Sequence, residues 1–226
     1  MLEASKTLFL ILSALFPIVD PLGGSPIFLA MTQEYSRATR RALSWRIATN
    51  SFFLLVASYF VGTHILSFFG ISLPVVQVGG GLVVISSGWA LLKQGNTSSQ
   101  KGVKRTIEPE DPYQSAFYPL TLPLTVGPGS ISIAITLGAN APHHHGFNIA
   151  GIIAAVIGCI LLSASIYLCY GFADRLGRLV GPTGMTVILQ LTAFLLVCIG
   201  VQILWNGASA LWTSLPVHGP QALQRQ

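Results

Sequence analysis

Apolar residues in this chain do not alternate with polar ones at the strand period. They gather in long runs separated by short polar stretches. Six runs predict membrane-spanning helices, at residues 7–31, 43–69, 75–92, 117–139, 147–170 and 185–205. Each is near the ~20 residues that carry a helix across a bilayer. A polar stretch at 93–116 divides them into two sets of three. The predicted organisation is a first membrane repeat at 1–92, a cytoplasmic loop at 93–116, a second membrane repeat at 117–212 and a polar tail at 213–226. Residues 7–19 imitate the apolar part of a secretion signal. Lys6 is offset by Glu3, however, and no small-residue cleavage site follows, so the first helix is read as retained. The fold class is all-α integral membrane.

Two of the runs are broken at their centres. The first carries Pro17, Pro21 and Pro26 around Asp20, Gly23 and Gly24. Proline removes a helical hydrogen bond and clashes with the preceding turn. The backbone is therefore expected to open there, which is tolerated inside a bilayer only where protein or a watery cavity satisfies it. Pro17, Pro21, Leu22 and Pro26 return at one constant offset as Pro119, Pro123, Leu124 and Pro128. Three spans per half make the second half enter from the opposite side, which predicts inverted repeats. Gln77 and Gln190, each early in the third span of its half, fit the same pairing.

Composition sharpens the class. Charged residues are 8% of the chain against 52% hydrophobic, too few charges to clothe a water-facing surface. The net charge of +5 does not indicate nucleic acid, because the basic residues sit in short loops beside apolar runs. Ten of the 12 Lys and Arg residues fall in three places: Arg37, Arg40, Arg41 and Arg46; Lys93, Lys101, Lys104 and Arg105; Arg175 and Arg178. These share one side if all six segments cross. That side is cytoplasmic by the positive-inside rule, with both termini outside. Re-entrant hairpins at the broken segments would instead put Arg175 and Arg178 outside. Trp45 and Trp89 suit an inner interfacial belt, Trp205 and Trp212 an outer one. Cys159, Cys169 and Cys198 lie in apolar runs and read as small core residues. Gly79, Gly80, Gly81 and Gly88, with the pairs Gly151/Ala155 and Ala154/Gly158, read as close helix-packing positions.

Candidate chemistry concentrates at the breaks. Asp20 is the one formally charged residue near the bilayer centre, where a carboxylate must face a cavity or a partner. It either serves a solute or proton, or accepts backbone N–H groups freed by the break. Leu122 stands at the matching place in the second half. Ser25 before Pro26 reads as an N-cap, and Gly127 before Pro128 as its counterpart, with Gly129 and Ser130 just inside. Helix N-termini present unpaired N–H groups and partial positive charge. Two of them opposed across the membrane would suit a carboxylate, with Asp20 receiving an ammonium. The candidate substrate-binding set is Asp20, Pro21, Gly23, Gly24, Ser25, Pro26, Thr125, Gly127, Pro128, Gly129 and Ser130. Asn50, Gln77 and Gln190 are secondary path candidates, or interhelical hydrogen bonders together with Thr125. His143, His144 and His145 read as a solvated outer loop rather than a metal site, and no cofactor is expected. No nucleophile-elbow, zinc-protease or phosphate-loop pattern is present, which argues against an enzyme and against ATP coupling.

These segments resemble the MarC family of six-span bacterial inner-membrane proteins. The likeness rests on Asp20-Pro21-Leu22-Gly23-Gly24-Ser25-Pro26, on Val126-Gly127-Pro128-Gly129, and on the sixth span from Phe194 to Gln202 with Asn206-Gly207 after it. Asp20 stands where many members carry Asn, and Val126 where a small residue is common. The resemblance implies a place among transporters of small neutral amino acids, on the strength of members that move glycine and alanine. The resulting expectation is a secondary transporter or exporter of small neutral amino acids with a candidate proton route at Asp20. The alternative is a channel-like facilitator of small neutral solutes. The expected partners are the lipid bilayer and that solute. An intramembrane enzyme built on Asp20 lacks a second catalytic group.

Overall fold

The computed structural model describes residues 2–32, 34–96, 113–141 and 149–214. Among these the chain is helical throughout: α1 Leu2–Val19, α2 Pro21–Met31, α3 Arg37–Phe68, α4 Leu73–Asn96, α5 Pro128–Ala139, α6 Ile149–Gly171 and α7 Ala173–Ser214. A short 3-10 turn, Gln114–Ala116, leads into a wide π-helical segment, Phe117–Thr125, ahead of α5. Among the described residues five helical stretches are long and apolar enough to cross a membrane, and six if Phe117–Thr125 and Pro128–Ala139 count as one broken span. The protein is thus an all-α integral membrane protein. His143, His144 and His145, the basic residues Lys101, Lys104 and Arg105, and the tail from 215 onward lie outside the described residues.

Packing follows from small residues and buried aliphatics. The most extensive helix pair is α4 with α7. A Cβ on Gly81 would lie 2.6 Å from the Leu204 amide nitrogen, and one on Gly88 2.8 Å from the Ala193 carbonyl. Gly200 and Gly207 meet α4 in the same way, so the two backbones touch through four glycines. Gly158 of α6 packs on Ile11 of α1, between buried Ala154, Ala155 and Cys159. Gly79 faces open space instead. Phe28, Leu43, Leu55, Leu120, Leu162 and Ile166 form the fully buried core. All four tryptophans are exposed, as an interfacial or lipid-facing position requires. Cys198 is exposed too, a correction to its reading as a core residue: it shares a face of α7 with exposed Phe194, Val201 and Trp205.

The neighbour pattern has a regularity. The first span packs on α6, and the fourth packs on α3; α2 meets α7, and α5 meets α4; α3 and α6 meet each other, as do α4 and α7. Exchanging spans one and four, two and five, three and six leaves these pairings unchanged.

The sixth span runs past the expected 205, as helix to Ser214, and two other boundaries also depart from expectation. The second span begins as helix at Arg37, because Ser36 caps it with its hydroxyl accepting from the Thr39 amide at 3.1 Å. The link between the fifth and sixth spans is itself helical. It is set off from the apolar part of α7 at Gly181, whose φ of 72° only glycine adopts readily, with Pro182 next.

Candidate functional site

At the first interruption the chain leaves the helix at one residue. Asp20 takes a left-handed conformation, φ 43° and ψ 67°, which short polar side chains tolerate better than others. The ladder otherwise persists: the Asp20 amide donates to Phe16 at 2.9 Å and Gly24 donates to the Asp20 carbonyl at 3.0 Å. The carboxylate accepts from the Gly23 amide at 3.1 Å. Asp20 is therefore the N-cap of α2 with Pro21 at its first position, a correction to the N-cap expected at Ser25. Ser25 lies inside α2, buried, and its hydroxyl donates to the Leu22 carbonyl at 3.0 Å. That is the carbonyl the Pro26 nitrogen would have served, so serine replaces the hydrogen bond proline removed. The backbone expected to open is repaired on the spot, and residues 5–29 run on as one span.

The second interruption is wider. Tyr118 and Leu122 are extended, and the halves meet at 63°. The carbonyls of Ala116 and Leu120 accept from the hydroxyls of Thr121 at 2.6 Å and Thr125 at 2.8 Å. Gly127 is the N-cap of α5 and Pro128 its first residue, as expected, with no side chain capping the end.

The two interruptions meet at a residue that sequence reasoning passed over. Tyr170, buried near the end of α6, shares a 3.0 Å hydrogen bond with the Thr125 hydroxyl. Its own hydroxyl lies against Gly24, where a Cβ would collide with it, and its ring stacks on Phe28 at 4.8 Å. A tyrosine at the end of an apolar run carries the signal of an interfacial belt, which is why it escaped notice. Thr192 of α7 was missed as well. Its hydroxyl is the side-chain hydrogen-bond partner of the Asp20 carboxylate, and its methyl packs over Gly23.

The remaining candidates divide. Asp20, Gly23, Gly24, Thr125 and Tyr170 converge around the breaks, beside buried Ser25 and Pro21. Gly129 faces Val84 of α4 instead. Ser130 is buried within the first turn of α5. Asn50 donates to Thr121 at 3.5 Å and Gln77 to Thr136 at 3.4 Å, long interhelical bonds that tie α3 and α4 to the fourth span. Gln190 sits partly buried on α7, two residues before Thr192. Among the described residues no three His, Cys, Asp or Glu side chains gather as a metal would require.

Beyond Tyr170 a cavity of about 200 Å³ opens where α3 begins and α6 passes into α7. Tyr170 lines it together with Arg37, Arg40, Arg41 and Arg175, so one phenol ring stands between a basic vestibule and the paired breaks.

A polytopic helical membrane protein with two proline-interrupted spans meeting at a polar contact defines a class, and the comparisons give it a family. The model of the family described as MarC family integral membrane protein matches residues 5–212. The chain belongs to the MarC family. It is 31% identical over 214 residues to the inner membrane protein MarC of Citrobacter koseri, covering 92% of this chain and 96% of the relative. The same named protein in Salmonella typhimurium is 31% identical over 213 residues, again 92% and 96% covered. That of Escherichia coli O1:K1 is 30% identical over 212 residues with the same coverage. No solved structure matches the chain.

Proposed function

We propose that this chain is a secondary transporter or exporter of small neutral amino acids, with its site at the paired breaks in the middle of the membrane. The observation that carries the reading is the Gly24–Tyr170–Thr125 contact, which joins two helix starts from different halves of the chain. The Asp20 carboxylate is positioned to receive an ammonium group or a proton, and the first-turn amides of α5 to receive a carboxylate. The exchange-invariant helix pairing supports inverted repeats, the architecture in which one half rocks against the other around such a site. A 63° bend leaves both halves of the fourth span advancing in one direction, which favours crossing over a re-entrant hairpin. With crossing, the arginine vestibule faces the cytoplasm and both termini lie outside. Tyr170 then closes the site on the cytoplasmic side.

The test is uptake of labelled alanine and glycine into proteoliposomes. Saturable, gradient-driven flux that falls at least tenfold in both Asp20→Ala and Pro128→Ala supports the transporter. Flux unchanged in both variants sinks it. Linear, uncoupled flux favours a channel-like facilitator, a reading to which the uncapped N-terminus of α5 lends support.

A further inference from the structure

Arg37 and Arg40 sit in the first turn of α3, and Arg175 is the third residue of α7. Helix N-termini carry partial positive charge, so cations there are repelled. Membrane orientation needs basic residues on this side, but it does not need them at two helix starts around a hollow. The cavity of about 200 Å³ between these ends is lined by Arg37, Arg40, Arg41 and Arg175 and by one carboxylate, Asp174. Asp174 is held by Arg40 in an ion pair. Arg41 donates from Nε to the Tyr167 hydroxyl at 3.1 Å. That contact fixes the guanidinium and leaves its charge unneutralised. The Nε of Arg40 is buried without a hydrogen-bond partner.

We propose that this vestibule is a binding site for a phosphate group, either the headgroup of an anionic phospholipid or a free phosphate. Guanidinium forks match phosphate oxygens in pairs. Trp45, packed edge-on against Tyr167 at 5.5 Å, marks the site as lying at interfacial depth, where a headgroup phosphate is found. The site does not depend on the transport reading: it binds whether or not an amino acid crosses.

The experiment measures thermal unfolding of the purified full chain in a neutral detergent. Short-chain phosphatidylglycerol, inorganic phosphate, phosphatidylcholine and acetate are titrated separately at constant ionic strength. Saturable stabilisation by phosphatidylglycerol alone assigns a lipid headgroup; by inorganic phosphate as well, a free phosphate site. Removing Arg37, Arg41 and Arg175 as glutamines weakens half-saturation by about fivefold per residue, on the order of a hundredfold together. Arg46→Gln, whose guanidinium lies over Tyr113 instead, leaves it unchanged. Should the triple variant fail to fold, Arg37→Gln alone, at an exposed position, still shows the fivefold loss. Equal response to acetate, no response to either phosphate probe, or a response untouched by Arg37→Gln overturns the proposal.

Discussion

The two interrupted spans share a proline spacing and differ in shape. Around Asp20 the helix takes one left-handed step and continues; around Leu122 it widens, extends and bends by 63°. The prolines are matched in spacing but not in peptide geometry: the bonds to Pro119 and Pro123 are cis, and those of the first break are not. The residue before the central proline differs as well. Proline disfavours helical backbone in its predecessor. Aspartate escapes into the left-handed region and caps the amide three residues on. Leucine has no such outlet and becomes extended, φ −107° and ψ 126°, which leaves carbonyls that Thr121 and Thr125 must serve. At both breaks the prolines mark where the helix is interrupted, and the backbone of the preceding residue differs between them.

The largest expected effect comes from separating the two breaks. Tyr170→Ala removes the ring between Gly24, Thr125 and Phe28 and leaves a cavity, at a cost of roughly 3–5 kcal/mol. Tyr170→Phe keeps the stack and loses one hydroxyl, about 0.6 kcal/mol in a membrane. Thermal unfolding of the two variants in detergent checks the ratio; equal losses would mean that the ring does not hold the breaks together. Next in size is Asp20→Leu, which gives the first break the residue of the second. Left-handed leucine costs about 1–2 kcal/mol and the lost cap about 1 kcal/mol. Asp20→Asn keeps both the cap and the conformation and should unfold within about 0.5 kcal/mol of the parent. An asparagine variant that is stable yet transport-dead would separate the charge from the cap. One as unstable as Asp20→Leu would refute the cap as the source of stability.

Much of this was legible because bilayers demand long apolar runs and prolines mark their failures. Span number, the paired breaks and Gly127 as the cap of α5 all follow from those two constraints. Asp20-Pro21 and Ser25-Pro26 both satisfy the rule of a polar cap before a first-turn proline. Only the left-handed backbone at Asp20 decides between them, and a linear pattern does not carry it. Tyr170 and Thr192 were illegible for another reason. A hydroxyl in an apolar run looks the same whether it faces lipid, a neighbouring helix or a distant break, and the partner is set by packing between halves of the chain. The helical link ahead of Gly181 was hidden by its charges, which read as loop.

A third comparison, smaller than the losses at Tyr170→Ala and Asp20→Leu, tests the repair within the first break alone. Ser25→Ala deprives the Leu22 carbonyl of its donor and should cost about 1 kcal/mol. Pro26→Ala restores an amide at the position from which a helix would serve that same carbonyl. If the hydroxyl substitutes for the missing amide, the two changes are coupled: Ser25→Ala in the Pro26→Ala background should cost only a few tenths of a kcal/mol. A double-mutant cycle of unfolding free energies reads this directly. An undiminished cost in the alanine background would mean that Ser25 is retained for packing against its neighbours. The first break would then be straight because of Asp20 alone.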